Sequence, residues 1–374
     1  MMNREQKILV IVTDYPDKVG NVKLQYIHTR NVAYLKFGLT VTVLNFAAKE
    51  DYFVDGIRVI TLKTYKKEKK YFNELISHAP NIKQHLIFLI LYGKYFLKYF
   101  FFFHGHEVLR CSKVYPKEYE YQQSIFIKTW LKNIYDIVKL KIWKIFFLKV
   151  VDKSRFIFVS NWMLEEFEKW VGIKRSCLKN RYYITYNSVG EIFEKKQYDF
   201  NCDKTYDFIT IRSNLDGSKY CIDIVNNLAK VNPQYKFLVI GKGSFFQYYP
   251  KASNLEWLDK NLRHDEMIVL LNKSRCALMP TRVDSQGVMS CEMATFGIPL
   301  ITSDLPVFYE IFHGFENVQY IDNKDAVDLS SILVDIKATG TKNKKYFLEK
   351  TRLDNLNAEK SPGSYSCPHL IKRE

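Results

Sequence analysis

Residues 280–299 read Pro280-Thr-Arg-Val-Asp284-Ser-Gln-Gly287-Val-Met-Ser-Cys-Glu292-Met-Ala-Thr-Phe-Gly297-Ile-Pro299. A short apolar run, 276–279, leads into this stretch, and a second, 299–302, leaves it. Between them, 287–296 reads as a helix closed by Gly297. The unit is therefore strand, loop, helix, strand. The loop carries Asp284, and Gly287 permits close backbone approach where the helix begins. The first amides of a helix have no acceptor within it, and the helix dipole favours an anion there. Glu292 lies about a turn and a half further on, at 3.6 residues per turn. A loop acid, free amides and a helical acid can then face one ligand. Hydroxyl groups seek carboxylate acceptors, and a diphosphate seeks amides. The same pattern also fits a capped helix with two solvated acids.

Working outward, the alternation continues in both directions. After 182–186, residues 187–190 (Asn-Ser-Val-Gly) break the pattern. Beyond them come a strand at 207–211, a helix at 218–231, a strand at 235–240 and a helix at 264–273. Before the break, 7–12 (KILVIV) is an unbroken apolar run that reads as a buried parallel strand. A loop holding Gly20 follows, then a helix over 23–37 closed by Gly38 and a strand over 39–46. Further strands are expected at 99–103 and 156–159, with helices near 125–152 and 161–170. Strands alternating with helices of this length imply parallel sheets covered on both faces, an α/β class. Two such units in tandem leave a cleft between them, and ligands of such sheets sit at strand carboxyl ends. The expected division is 1–188, 189–345 and a partly loose tail, 346–374.

Composition bounds the partners. The 374 residues carry a net charge of +16, with 47% hydrophobic and 16% aromatic residues. Residues 1–190 hold 32 Lys and Arg against 16 Asp and Glu, and the remainder hold 24 against 24. The first half thus carries the whole excess, which suits an anionic partner or a Lys-rich surface. Seven cysteines are scattered without a C-x-x-C pair, so no metal spacing or disulfide framework is expected, and a reducing cytoplasm fits. With the first strand read at 7–12, no signal peptide is expected before it. Residues 86–103 are apolar enough to raise a membrane span, but Lys94 and Lys98 interrupt them. They read as a helix followed by a buried strand.

The stretch at 280–299 resembles the signature of the family 4 retaining glycosyltransferases (glycosyl transferases group 1). That family has the GT-B fold, two Rossmann-like domains with parallel sheets flanking an interdomain cleft. Two acids separated by seven residues, a Gly after the first, and an Ala-x-x-Gly-x-Pro segment carry the likeness, here Asp284, Glu292, Gly287, Ala294, Gly297 and Pro299. Glu310 sits where a further Glu is common. The resemblance implies that Glu292 binds the nucleotide ribose and Asp284 the donor-sugar hydroxyls. The amides of Gly287, Val288 and Met289 would face the sugar and diphosphate. Arg212 and Lys219 would grip the diphosphate, Gly20 would let it approach the first domain, and His104 of His104-Gly-His-Glu would contact the transition state. The sequence departs from the family at Asp284, usually Glu, and at Ile211 and Tyr220, usually Gly.

The implied reaction moves a sugar from a UDP- or GDP-sugar to a saccharide or lipid-linked saccharide, with retention and without a metal or other cofactor. Surface polysaccharide assembly is the expected setting, in the cytoplasm or at the inner membrane face. No Asp-x-Asp pair occurs to hold a cation on the diphosphate. Two cations at a strand end and helix start would take over that task. Lysines at 66, 67, 69, 70, 132, 139, 141, 144 and 149 interleave with aromatics such as Trp130, Trp143, Phe146 and Phe147. They suit a membrane surface or a core helix with snorkelling lysines. Other readings keep the fold: a degenerate binding subunit or a nucleotide-sugar epimerase. Gly241-Lys-Gly243 lacks the third glycine of a dinucleotide fingerprint, and nucleic-acid binding is not expected.

Overall fold

The structure, a computed structural model, describes residues 7–17, 23–36, 38–123, 126–324 and 327–334. Gly20 and the tail, 346–374, lie outside the described residues.

Two sheets organise these residues. The first contains β1 (Lys7–Val12), β2 (Thr40–Asn45), β3 (Tyr52–Val54), β4 (Ile57–Ile60), β5 (Glu74–His78), β6 (Lys98–Phe103), β7 (Ser154–Phe158) and β8 (Tyr182–Ile184). Its order is β3-β4-β2-β1-β5-β6-β7-β8, parallel except for the antiparallel β3–β4 edge. The second contains β9 (Tyr206–Asn214), β10 (Phe237–Lys242), β11 (Leu255–Leu258), β12 (Ser274–Met279), β13 (Leu300–Ser303) and β14 (Val318–Ile321). Its order is β11-β10-β9-β12-β13-β14, and every pairing is parallel.

The apolar runs explain this arrangement. Side chains alternate faces along a strand. Leu9 and Ile11 join one buried cluster with Phe101, Phe103, Trp143 and Phe147. Ile8, Val10 and Val12 join another with Phe100, Phe102 and Tyr34. The second sheet repeats the device, with Ile209 and Leu238 on one face and Phe208 and Phe237 on the other. A strand apolar on both faces must be covered on both, so helices flank each sheet. These are two Rossmann-like domains.

Three segments differ from the sequence reading. Residues 52–60 form a hairpin of short strands, and 62–68 a helix capped by Thr61. The helix expected at 86 begins with a π-helical turn at Ile82–Leu86, and its strand starts at Lys98. The helix expected at 218–231 begins at Ile222, because Cys221 has a left-handed backbone, φ +57°. Lys219 therefore sits on a separate 3-10 turn, Ser218–Tyr220.

Among the described residues, no helix is long and apolar enough to cross a membrane.

Candidate active site

The carboxyl ends of the two sheets are drawn together by bonds across the cleft. Within the first domain, Arg30 Nη2 donates to the Tyr186 carbonyl at 2.9 Å and holds the start of the connecting segment. The Gln286 amide clasps the connecting segment, accepting from Asn187 N at 2.6 Å and donating to Asn187 O at 3.1 Å. The Glu310 carboxylate accepts from the Asn161 backbone amide at 2.8 Å and from the Tyr186 hydroxyl at 3.2 Å. It thus caps the first-domain helix Asn161–Val171 from the second domain. Tyr119 and Tyr121, on the chain leaving β6, reach across to Asp223 and Asp216, each at under 3 Å.

A cleft lies between the domains. His104, Gly105, Leu109, Tyr115 and Trp162 line it from the first domain, and Lys219, Val283, Asp284 and Ser285 from the second. The fold thus brings three of the sequence-derived candidates, His104, Lys219 and Asp284, to one wall-to-wall space. Ser285 ties the sides together, donating to the His104 carbonyl at 2.5 Å.

The loop before the helix Val288–Phe296 is shaped by Asp284. Its Oδ1 accepts from the amides of Ser285, Gln286 and Gly287 at 2.8, 3.2 and 2.8 Å. A short acid can fold back onto its own loop in this way. Gly287 then takes φ +74°, and a Cβ there would meet Phe308 Cε1 at 2.9 Å. The amides of Val288 and Met289 follow, at a helix start whose amides lack intrahelical acceptors.

Arg212 is buried at the end of β9, with Nη2 donating to the Pro280 carbonyl at 2.7 Å. Burial pushes its pKa down, opposed by the charge of Asp284. Its guanidinium carbon lies 5.2 Å from the centre of the Tyr220 ring, and Lys219 Nζ lies 4.7 Å from the same ring. Lys219 Nζ is also 5.4 Å from the Tyr115 ring. The tyrosine standing in the family's glycine place therefore faces both cations.

Glu292 does not line the cleft. It is buried, accepts from Gly190 N at 3.2 Å, and stands 3.8 Å from His264 Nε2. Burial raises its pKa from 4.5 to about 8. Burial also lowers that of His264, so at neutral pH the two meet chiefly as neutral groups. A carboxyl whose pKa is higher in the folded chain binds protons more tightly there. Its contribution is full below pH 4.5 and is lost as pH rises through about 8. Glu292→Gln, neutral at every pH, is expected to melt above the parent at pH 9. The difference should shrink as pH falls from 8 to 4.5, read by thermal unfolding across that range.

His104 meets the cleft with its backbone fixed. Its amide donates to Glu107, and its ring lies 4.8 Å from the Tyr26 ring. The surrounding signals that the sequence did not give are Ser285, Tyr115 and Trp162. Ser285 stands inside the 280–299 stretch, next to Asp284, without a signal of its own; Tyr115 and Trp162 are brought in only by the fold.

Residues 208–336 match the family model described as Glycosyl transferases group 1. A comparison with curated proteins returns no match. Among solved structures, the chain is similar to a sucrose-phosphate synthase from Thermosynechococcus elongatus, with TM-score 0.67 and 12% identity over 95% of this chain and 97% of that one. It is similar also to HepE of Anabaena, solved in complex with UDP and glucose, with TM-score 0.62 and 11% identity over 95% and 98%. A trehalose-6-phosphate protein from E. coli, bound with UDP-2-fluoro glucose, gives TM-score 0.56 and 9% identity over 95% and 97%. The matched segment and the shared two-sheet architecture lead to one conclusion: the chain has the GT-B fold of glycosyltransferases, and its second domain, over residues 208–336, matches the glycosyl transferases group 1 model.

Proposed function

We propose that the chain transfers a sugar from a UDP- or GDP-sugar to a saccharide or lipid-linked saccharide, with retention of configuration, in surface polysaccharide assembly. One observation carries the reading. Lys219 lines the cleft together with Asp284, the Tyr220 ring that it faces also meets the buried Arg212, and the helix that starts at Val288 follows the Asp284 loop directly. A leaving nucleoside diphosphate develops negative charge, and fixed cations and amides placed at that charge lower the barrier. No metal is needed for this step in the reading, since the two cations supply the countercharge. UDP accompanies two of the similar solved structures, which supports a uridine donor.

In this reading Glu292 holds the ribose, Asp284 the donor sugar through its Oδ2, and the Val288 and Met289 amides the diphosphate. Gly20 would let the donor approach the first domain, and His104 would contact the transition state. Glu292 reaches the ribose only if it exchanges its bond to Gly190.

The first domain supplies the acceptor side. Its helix Phe126–Val150 exposes Leu131, Ile134, Tyr135, Val138, Ile145 and Leu148 at helical spacing, with Ile145 at 71% exposure. Exposed Lys132, Lys141, Lys144 and Lys149 flank them. An apolar stripe edged by lysines suits the interface of an anionic membrane. That placement would bring a lipid-linked acceptor to the cleft.

The test is release of nucleoside diphosphate from a panel of UDP- and GDP-sugars with purified protein. At least one donor should be consumed in the presence of a saccharide acceptor. Consumption of none, with no thermal stabilisation by UDP or GDP, contradicts the reading.

A further inference from the structure

The segment between β6 and the helix Phe126–Val150 is rooted in the first domain. There the buried Lys139 donates to the carbonyls of His106 and Leu109 at 2.8 and 3.1 Å. Beyond Tyr115 the segment runs against the second domain. Tyr119 is buried in one cluster with Phe208, Val225, Phe237 and Phe245 of that domain, its ring 5.0 Å from the Phe245 ring. Tyr121 stacks on Tyr248, with ring centres 4.3 Å apart and planes 5° from parallel. Burial of aromatic surface of this kind holds the strap against its host.

The two hydroxyls make the more specific contact. Tyr119 donates to Asp223 Oδ1 at 2.8 Å, and Tyr121 to Asp216 Oδ1 at 2.7 Å. These acids stand on either side of the 3-10 turn Ser218–Tyr220, which carries Lys219. Tyr115, earlier on the same strap, places its ring 5.4 Å from Lys219 Nζ. The strap thus meets the turn before, at and after its cation. Burial first, and then the acid that each one meets, push both phenol pKa values up, so both hydroxyls stay donors.

Further bonds lead from these acids to the backbone of the turn. Asp223 holds Arg282 through two contacts, at 2.5 and 3.0 Å. Arg282 Nη1 donates to the Ser218 carbonyl at 2.6 Å, and the Arg282 amide donates to the Lys219 carbonyl at 2.8 Å. Thr281 Oγ1 adds a second bond to the Lys219 carbonyl at 2.8 Å. On the other side, Asp216 Oδ1 also accepts from Ser244 N at 2.7 Å, just after β10. The carbonyls of the turn are therefore held by Arg282, Arg282 by Asp223, and Asp223 by a hydroxyl from the other domain. Bonds to ionised groups within such a network stabilise more than neutral ones. Lysine is a point charge on a flexible stem, so its field on an anion depends on where the backbone places it.

We infer that Tyr119 and Tyr121 are positioning residues of the first domain that hold the Lys219 turn of the second, so that the cation is set for a leaving diphosphate only while the strap joins the two domains. The inference rests on the proposed donor site for the anion that Lys219 meets, but not for the hold on the turn. Neither tyrosine is among the residues that line the cleft, and both act through Asp223 and Asp216.

The experiment compares the whole parent chain with the double variant Tyr119→Phe, Tyr121→Phe, which keeps both rings and removes both hydroxyls. The first readout is amide hydrogen exchange without ligand, followed on the peptide spanning 214–223. The amides of Tyr220 and Cys221 are bonded within the turn and exchange when it opens. Their exchange is expected to speed up about tenfold or more, the worth of at least one hydrogen bond to a charged group, with β1 and β13 unchanged. The second readout is kcat at saturating donor, which should fall about tenfold in the parent background and no further in Lys219→Met, because a misplaced cation and an absent one act alike. A merely structural role would lower the rate by the same factor in both backgrounds. Should the double variant not fold, Tyr121→Phe alone, at a half-buried ring, gives the same two readouts. Unaltered exchange in the turn overturns the inference, and so does a rate loss that persists undiminished in Lys219→Met. Exchange is read without substrate, so failure of the donor reading shows separately, as a faster-opening turn in a protein that consumes no nucleotide-sugar.

Discussion

Lys219→Met is expected to lower the rate of glycosyl transfer by about a hundredfold to a thousandfold, because one fixed charge is lost where the leaving diphosphate develops its own. Lys219 is the cation that lines the cleft, and its Nζ sits between two aromatic rings, 4.7 and 5.4 Å from their centres. The rings border it and leave it half-buried, and a charge partly withdrawn from water acts more strongly on a bound anion. Methionine keeps most of the side-chain volume and lets it pack against Tyr115 and Tyr220, so folding should be little changed. Arg212→Met should also slow transfer, but with a cost to stability, since its Nη2 holds the Pro280 carbonyl in a buried place. Removing that donor leaves an acceptor unsatisfied, at about 1–3 kcal/mol. Rates at saturating donor, with the melting temperature of each variant, separate the two effects. A Lys219→Met protein with unchanged kcat would show that the cation does not meet the leaving group.

The second large effect is structural. Gly287→Ala is expected to cost roughly 2–4 kcal/mol, from a strained left-handed backbone and a side-chain clash in a packed site. A Cβ at this position meets Phe308 at 2.9 Å, with the backbone held at φ +74°. Phe308 is fully buried, so it has little room to retreat. The helix start that carries the Val288 and Met289 amides would shift with it, and donor binding should weaken together with stability. Phe308→Leu in the same chain relieves the clash but not the backbone strain. The double variant should therefore regain only part of the loss, as read by denaturant unfolding. Full recovery would assign the whole effect to space, and no loss in Gly287→Ala alone would remove both arguments.

Much of this architecture was legible because its strands are long and apolar. The runs at 7–12, 98–103 and 237–242 are buried almost throughout, and each feeds both faces of a sheet. The helix at 288–296 was legible through its two glycines, both left-handed, one at each end. β5 was not legible, for a physical reason. Glu74, Ser77 and His78 are polar, yet all five of its residues are buried. Their polarity is answered inside the fold, by Lys98 beside Glu74, His85 beside Ser77 and His104 beside His78. A strand whose partners lie far along the chain gives no alternation to read. The 3-10 turn at Lys219 was hidden in the same way, because the left-handed residue that ends it is Cys221 and not a glycine.

The site was legible as a set of residue types, but not in its wiring. Asp284 spends one oxygen on three loop amides, and Glu292 faces Gly190 and not the cleft. Only coordinates could assign those bonds, since each partner adjoins the acid in space through the turn of the loop or the join between domains. Tyr220 had been a departure from the pattern. In the structure its ring faces the two cations that the pattern supplies.

The most direct test is calorimetric titration of UDP, GDP and uridine into the parent chain and into Lys219→Met. The account predicts that one of the two diphosphates binds the parent, that Lys219→Met weakens this binding at least tenfold, and that uridine, which lacks the phosphates, binds both proteins equally weakly. Equal diphosphate affinity in parent and variant would contradict it.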